Sequence, residues 1–138
     1  MEIKIYSFLP KAAASIRETV FIKEQGFKEE FDRIDGLATH FLLFEAGNAV
    51  ATCRIFRTDG KNYRLGRLAV LKPYRKKGFG SKLVEAAEKE TVRQGGEVLS
   101  LHAQCSAEPF YGALGYKCRG EVFNDEHCPH ILMEKSLV

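Results

Sequence analysis

Residues 65–90 read LGRLAVLKPYRKKGFGSKLVEAAEKE, and this stretch decides the fold that the sequence predicts. It begins with a short apolar run typical of a strand, Leu65 to Val70. A basic loop with two glycines follows, Lys72 to Gly80. Apolar residues three and four positions apart then predict a helix from Ser81 to about Gln94. The order strand, glycine loop, helix is the geometry of an anion-binding site.

The loop has the chemistry that a diphosphate requires. The first backbone N–H groups of a helix have no partner within the helix, and the helix dipole is positive there. Gly78 and Gly80 let the backbone approach a phosphate without a Cβ clash. Arg75, Lys76 and Lys77 add positive charge. We therefore expect a phosphate-bearing ligand at this loop.

Two common phosphate-binding patterns do not match the loop. The Walker pattern GxxxxGK[ST] is absent, and the dinucleotide pattern GxGxxG fails because Ser81-Lys82-Leu83 follows the two glycines. Arg75-Lys76-Lys77-Gly78-Phe79-Gly80 instead resembles the R/Q-x-x-G-x-G/A signature of the GNAT superfamily of acyl-CoA-dependent N-acyltransferases.

A second motif carries the same resemblance. Residues 104–116, QCSAEPFYGALGY, look like the GNAT pattern N-x-x-A-x-x-x-Y-x-x-x-G-F. Gln104 stands where Asn is usual and Tyr116 where Phe is usual, and both keep the chemical character. Residues 20–26, Thr39-His40 and residues 129–135 are similar to the small ElaA-like branch of the superfamily.

The resemblance covers essentially the whole chain and implies the fold. We expect one domain, residues 1–138, of the α/β (α+β) class with the GNAT fold. This fold is a single mixed, mostly antiparallel sheet, splayed between two central parallel strands and flanked by helices. Hydrophobic periodicity independently predicts a mixed α/β order with a crossover between the strands on either side of the central helix.

The remaining elements are predicted from periodicity and turn residues. The acidic segment Phe27 to Leu37 is either a solvated connector or a flap that binds the acceptor. Besides the central helix, two helices are predicted, Lys11 to about Gln25 and Ala107 to Leu114. The predicted strands are Glu2–Phe8, Thr39–Glu45, Ala49–Arg57, the strand that ends at Val70, Val98–Gln104, Tyr116–Phe123 and Ile131–Ser136. A polar connector, Asn124 to His130, joins the last two strands.

Composition narrows the class of protein. The chain has 138 residues and a net charge of +3, which is too small to indicate a nucleic-acid binder by itself. No apolar run has the length of a membrane span, and the N-terminus has no secretion signal. The four cysteines lack CxxC spacing and predict reduced thiols in a cytoplasmic protein. The only place to look for zinc is His127-Cys128-Pro129-His130, and no metal is predicted.

The resemblance assigns the site of acetyl-CoA. The pyrophosphate would lie on backbone N–H groups of the glycine loop, and the pantetheine arm would lie along the edge of the strand before it. Ala69 and Val70 are candidates to polarise the thioester carbonyl through a backbone N–H. The implied cosubstrate-binding residues are Leu68, Ala69, Val70, Arg75, Lys76, Lys77, Gly78, Phe79, Gly80, Ser81 and Gln104.

The catalytic residues are predicted with alternatives. Tyr111 occupies the general-acid position of the family, where it would protonate the departing thiolate, and the alternative is a packed aromatic beside Phe110. The base is less well defined: Glu24, Glu126, His102 and His130 are candidates, and His130 is the predicted one. The alternative for His130 is a strand-end histidine held by a backbone carbonyl.

Arg54 and Arg67 lie inside predicted strands, where a long cation requires a partner. They either bind an acidic acceptor or pair with Asp32, Asp35 or Glu121.

The predicted function is that of an N-acetyltransferase, which transfers the acetyl group of acetyl-CoA to a primary amine of a small molecule in a ternary complex. A non-catalytic CoA-binding module is one alternative. A nucleic-acid binder using the patch Lys72 to Lys82 is another, although the patch lacks aromatic residues arranged for base stacking, so no nucleic-acid partner is predicted. No membrane partner is predicted, and a homodimer is possible by analogy with the superfamily.

Overall fold

Seven strands form one sheet in the computed structural model of the protein, which describes residues 1–28 and 30–138. Residue 29, within the predicted acidic segment, lies outside the described residues. The strands are β1 (Glu2–Tyr6), β2 (Thr39–Glu45), β3 (Asn48–Asp59), β4 (Asn62–Val70), β5 (Val98–Gln104), β6 (Lys117–Asp125) and β7 (Cys128–Ser136). The helices are α1 (Lys11–Arg17), α2 (Phe79–Arg93) and α3 (Glu108–Ala113), with a π-helical segment (Glu18–Glu24) directly after α1 and short 3-10 turns at Arg33–Gly36, Lys72–Tyr74 and Cys105–Ala107.

The strand order across the sheet is β1-β2-β3-β4-β5-β7-β6. Within the described residues, β4 and β5 are the one parallel pair, and every other pair of neighbours is antiparallel. The parallel pair follows from the crossover through α2, because a helix between two strands returns the chain in its original direction. The predicted mixed, mostly antiparallel sheet with a central parallel pair is therefore confirmed.

The parallel pair separates halfway along its length. β4 and β5 pair from Asn62 with Val98 to Leu65 with Leu101, and the ladder ends there. At this point β4 has a bulge relative to β3, because Arg54 pairs with Gly66 but Thr52 pairs with Ala69. Extra residues in one strand bend it away from its neighbour. The bulge therefore opens the splay that the family resemblance implied.

The two faces of the sheet carry different helices. On one face, which we call the α2 face, α2 packs Leu83, Val84 and Ala87 against strand residues such as Leu65 and Leu101. On the other, which we call the α1 face, α1 and the π-helical segment pack Ala13, Ile16 and Val20 against the strand residues Leu42 and Ala69. Burying apolar side chains on both faces stabilises the sheet at the position of the splay.

Several elements differ from the sequence prediction. The first helix becomes π-helical after Arg17, a change that apolar spacing does not report. α2 begins at Phe79, two residues earlier than predicted, because Gly78 adopts the left-handed conformation that allows a cap there. β6 and β7 extend to Asp125 and from Cys128, so the predicted polar connector is a tight turn between two longer strands.

Candidate active site

The loop before α2 presents unpaired backbone donors. Gly78 caps the helix with φ of 81°, and Lys76 also has a positive φ of 63°. The first bond of the helix runs from the Lys82 N–H to the Gly78 carbonyl. Among the described residues, no N–H from Lys76 to Ser81 has a hydrogen-bond partner. A row of free donors at a helix N-terminus is suited to an anion with several oxygens.

The splay opens into a cleft of about 740 Å³ that ends at this loop. Except for Lys77, every predicted site residue lines it: Leu68, Ala69, Val70, Arg75, Lys76, Gly78, Phe79, Gly80, Ser81, Gln104, Tyr111 and His130. The Lys77 ammonium lies 5.9 Å from the centroid of the Tyr74 ring. The structure thus brings the two sequence motifs to one cavity, and Lys77 lies beside it.

The Arg75 side chain is fixed by hydrogen bonds to Glu24 and to the Val70 carbonyl. Its guanidinium donates to both carboxylate oxygens of Glu24, at 2.6 and 2.8 Å, and its Nε donates to the Val70 carbonyl at 2.8 Å. The hydrogen bond from Arg75 lowers the pKa of Glu24. Glu24, one of the four candidate bases, is not among the residues that line the cleft, so its position favours a structural role.

Tyr111 lies on the α2 face of the cleft. Its ring packs edge-on against Phe110 and Tyr116, with centroids 4.9 and 6.1 Å away. Its hydroxyl has no hydrogen-bond partner in the part of the chain that the structure describes. Burial, reinforced by the nearby Cys53 thiol, raises the pKa of Tyr111 above its ordinary value. The phenol is therefore a protonated donor with its hydrogen available to a ligand.

His130 lies on the opposite, α1 face. Its Nδ1 is 2.9 Å from the Cys128 carbonyl, and its ring stacks on Phe123 with centroids 5.8 Å apart. A carbonyl only accepts, so Nδ1 must carry the hydrogen and Nε2 keeps a lone pair in the neutral ring. A backbone carbonyl therefore holds this histidine, as the second interpretation made from the sequence states, and the residue also lines the cleft. Its role as the base stays a prediction.

The other two candidate bases have different surroundings. His102 lines the cleft with Phe123 edge-on at 5.1 Å. It is exposed in part, yet desolvation and the positive charge of Arg64 lower its pKa, so it is neutral at physiological pH. The Glu126 carboxylate accepts from the Lys28 backbone N–H at 2.9 and 3.2 Å and lies outside the cleft lining.

The π-helical segment and its C-terminal cap, Gln25, place three side chains on the cleft. In a π-helix, residues five apart share a face, and Val20 and Gln25 both line the cleft with Phe21 beside them. The Gln104 amide donates to the Gln25 side chain at 2.8 Å. This bond spans from β5 to the end of the π-helical segment and fixes the orientation of Gln104.

Six charged side chains form a closed ring on the α1 face. Each carboxylate lies between two arginines, with N–O distances of 2.7 to 3.3 Å around the ring. In order, the members of this arginine–carboxylate ring are Arg17, Glu30, Arg67, Asp32, Arg54 and Asp35. The partners of Arg54 and Arg67 are thus Asp32, Asp35 and Glu30, and Glu121 is not one of them.

The surroundings in the ring shift the pKa of each of its three carboxylates. Burial raises the pKa of Glu30 and outweighs the attraction of Arg67 and Arg17. Burial would also raise the pKa of Asp35, but the hydrogen bonds and charges of Arg17 and Arg54 leave it below its ordinary value. The hydrogen bond from Arg54 lowers the pKa of Asp32. The two aspartates are therefore firmly ionised partners of the arginines.

The ring also fixes the acidic segment between the first helix and β2. Asp32 and Asp35 form a reciprocal capping box around the Arg33–Gly36 turn, and Glu30 is only 4% exposed. Phe27 and Glu30 line the cleft. The described part of this segment is anchored by the buried Glu30 and Asp35 and forms part of the cleft wall, although Phe31 and Leu37 are exposed. Binding of the acceptor by this segment stays a prediction.

Sequence reasoning missed several residues of the cleft. Gln25, Phe27, Glu30 and Asp125 line the cleft without having been predicted as site residues. Arg67 also lines it, and the sequence analysis had not decided between acceptor binding and ion pairing for this residue. Their positions depend on the π-helical segment, the bulge and the turn between β6 and β7. The only local signal was the presence of Arg54 and Arg67 inside predicted strands. The structure shows that both are paired with carboxylates, and binding of an acceptor by either stays a prediction.

Residues 1–28 and 30–138 contain neither a membrane-spanning helix nor a metal-binding cluster of side chains. No helix there is long and apolar enough to cross a membrane. No group of three or more His, Cys, Asp or Glu side chains there could hold a metal ion.

Comparison with known proteins agrees with this architecture. An uncharacterized N-acetyltransferase of Bacillus subtilis (strain 168), YjcF, is 35% identical over 128 residues, which are 91% of each chain. The crystal structure of Escherichia coli ElaA superposes with a TM-score of 0.87 at 25% identity, over 97% of this chain and 98% of that one.

A third likeness concerns the fold alone. An aminoglycoside 6'-N-acetyltransferase complexed with coenzyme A has a TM-score of 0.77 at 18% identity, over 100% of this chain and 98% of that one. The sequence profile described as "Acetyltransferase (GNAT) domain" matches residues 10–137, nearly the whole chain. The chain belongs to the GNAT family of acetyltransferases.

Proposed function

We propose that the protein transfers the acetyl group of acetyl-CoA to a primary amine of a small molecule by direct attack in a ternary complex. The observation that carries the proposal is the cleft between the splayed halves of β4 and β5, which runs to the unpaired N–H groups of the loop before α2. Such a cleft holds an extended ligand with an anionic end. The coenzyme A complex of the aminoglycoside enzyme, with the same fold, supports this reading.

The cosubstrate would lie along β4. Beyond Leu65 the edge of β4 that faces β5 has no strand partner, so Leu68 and Val70 can bond the amides of a pantetheine arm. Gly78 and Gly80 let the pyrophosphate reach the N–H groups of residues 76–81. Because Arg75 is paired with Glu24, its contribution to phosphate binding is smaller than that of the backbone.

Tyr111 and His130 would act from opposite faces of the cleft, Tyr111 as a hydrogen-bond donor and His130 as the base. The neutral amine attacks the thioester carbonyl carbon, the C–S bond breaks, and the amine proton passes to His130 Nε2 directly or through water. Tyr111 donates a hydrogen bond to the departing sulfur. Because burial raises the pKa of Tyr111, the phenol stabilises the thiolate more readily than it gives up its proton.

Acetyl-CoA binding is the first test. The melting temperature of the purified protein would be followed with acetyl-CoA, with ADP and with a short oligonucleotide. A ligand at 100 times its Kd adds about 2.7 kcal/mol to the free energy of unfolding, which is easily seen. Thiol release with a panel of primary amines would follow. Stabilisation by acetyl-CoA with no turnover would indicate a non-catalytic module, and stabilisation by the oligonucleotide alone would overturn the proposal.

A further inference from the structure

Arg67 occupies a strained position in the wall of the cleft. It is the bulge residue of β4 and has φ of 54°, in the left-handed region. This conformation costs a residue with a Cβ roughly 1–2 kcal/mol and costs glycine almost nothing. The preceding residue is a glycine with ordinary φ, so the bulge keeps an arginine where a glycine would be easier. Strain of this kind concentrates where a side chain has a task.

The guanidinium of Arg67 is held in place with one nitrogen unused. Its Nε lies 3.0 Å from a Glu30 carboxylate oxygen, and its Nη2 lies 3.3 Å from an Asp32 oxygen. Nη1 has no hydrogen-bond partner in the described part of the chain. The side chain keeps 27% of its surface and lines the cleft. A fixed guanidinium with a free N–H pair is ready to bind an anion at low entropic cost.

We propose that the acceptor is an amine that also carries a carboxylate, as an amino acid does, and that Arg67 Nη1 binds this carboxylate. The inference rests on the proposed acetyl transfer and names its substrate class. Arg67 directly precedes Leu68, whose backbone is proposed to hold the pantetheine arm. A carboxylate at Nη1 therefore tethers the amine close to the thioester, which is how positioning raises rate.

The charge around Arg67 favours a single negative charge. The three arginines and three carboxylates of the ring balance, so Glu30 and Asp32 would repel a phosphate dianion more strongly than a carboxylate with one negative charge. The unused donor, Arg67 Nη1, can give a hydrogen bond to such a carboxylate. A second donor, Arg54 Nε, is buried without a partner in the described residues. It lies close to Gly66 in the cleft wall: a Cβ added to Gly66 would be 3.7 Å from this nitrogen.

The facing wall is suited to the amine. Asp125, His102 and His130 line the cleft from the strands opposite β4. A carboxylate and two imidazoles attract an ammonium group and can accept its proton. The cleft thus separates a cation on the β4 wall from proton acceptors on the other, an arrangement that matches a zwitterion.

Matched acceptors test the inference on the unmodified protein. Each of several L-amino acids is compared with its C-terminal amide and its decarboxylated amine, for example L-phenylalanine, L-phenylalaninamide and phenethylamine, by thiol release from acetyl-CoA. Rates are expressed per unprotonated amine. We expect kcat/KM to be at least about 10-fold higher for the acids, the effect of one charge-assisted hydrogen bond. Equal or lower values for the acids would overturn the inference.

Variants separate binding from mere support of the ring. Arg67→Gln should lower kcat/KM for the acids about 10- to 100-fold, mainly through KM, and leave the amides within about 2-fold. The kcat/KM of Arg67→Lys for the acids should lie between those of the wild type and Arg67→Gln, since lysine keeps the positive charge but lacks the planar guanidinium with its several N–H donors. The control, Arg57→Gln, changes an exposed arginine that bonds the Gly60 carbonyl and should alter neither series. Equal losses for acids and amides would mean that Arg67 only supports the wall.

A binding measurement keeps the inference independent of turnover. Saturation-transfer NMR with L-phenylalanine and its amide, in the presence of coenzyme A, should show binding of the acid that Arg67→Gln abolishes. If acetyl-CoA binds and no amine is acetylated, the proposed function fails, yet this selective binding still supports the carboxylate site. If acid and amide bind alike, the inference fails. Should Arg67→Gln not fold, the wild-type comparison of acid with amide decides.

Discussion

The two faces of the sheet meet at the same cleft but build it in different ways. On the α2 face the wall consists of backbone N–H groups and apolar or aromatic side chains from two sequence motifs, residues 75–81 and 104–116. On the α1 face it consists of charged and polar side chains held by the arginine–carboxylate ring and the π-helical segment. The first wall is therefore built mainly from short-range features of the chain, while the second is built from side chains that distant segments bring together.

The difference teaches where specificity can arise. Backbone donors bind a phosphate whatever side chains surround them, so the proposed acetyl-CoA site depends on few residue types. Side-chain charges bind according to their sign and position, so the proposed acceptor site depends on the tertiary arrangement of distant segments. The following changes test each wall in turn.

The largest effect should come from opening the ring. Arg17→Met leaves Glu30 and Asp35 without one of their two partners, and Arg17 is only 1% exposed. Removing one partner of a buried ion pair costs about 3–5 kcal/mol. Urea unfolding followed by circular dichroism measures the loss, which should shrink as the pH falls because a protonated carboxyl no longer requires a cation. Arg119→Met, which breaks the exposed pair with Glu134, should cost less than about 1 kcal/mol. Similar losses for the two variants would mean that the ring adds no stability.

The next effect concerns the α2 face alone. Tyr111→Phe removes the donor to the departing sulfur and should lower kcat about 100-fold. Stability and acetyl-CoA affinity should change little, because the Tyr111 hydroxyl bonds no described residue. Thiol release and acetyl-CoA titration measure both quantities. Tyr6→Phe is the matched control, since Tyr6 contacts Phe8 outside the cleft. Unchanged turnover in Tyr111→Phe would remove its role as acid or donor.

A smaller loss should follow from straining the phosphate loop. Gly78→Ala places a Cβ at φ of 81°, which costs about 1–2 kcal/mol although nothing lies within 4 Å. If the strain displaces the N–H groups, acetyl-CoA affinity should fall about 10-fold. Gly36→Ala, also in open space but with ordinary φ, should leave affinity unchanged. Calorimetric titration distinguishes the variants, and equal affinities would show that the left-handed conformation at Gly78 is unimportant for binding.

The smallest effect is expected at the ion pair between Glu24 of the π-helical segment and Arg75 of the loop before α2. Glu24→Gln weakens this pair. Because both side chains are about one third exposed, the free energy of unfolding should change by less than about 1 kcal/mol. Release of Arg75 should raise acetyl-CoA affinity about 2- to 3-fold and leave turnover within about 2-fold, because a single mobile cation adds little. A collapse of turnover would instead identify Glu24 as the base in place of His130.

How far the sequence could predict each wall follows from the range of the interactions. The loop and α2 were predictable because glycines, cations and helical spacing act over a few residues. The splay was implied by the family resemblance, and its cause, the bulge at Arg67, was not visible in local sequence. The π-helical segment was missed because apolar spacing near α1 suits either helix type.

The sequence by itself determined the mixed sheet, its central parallel pair and the family to which the chain belongs. Only the tertiary structure decided that Arg17, Arg54 and Arg67 share three carboxylates from one segment, and that Arg67 lines the cleft. The physical reason is distance along the chain. Motifs and periodicity report contacts between near neighbours, whereas the ring joins residues that are 13 to 37 positions apart and meet only when the sheet has formed.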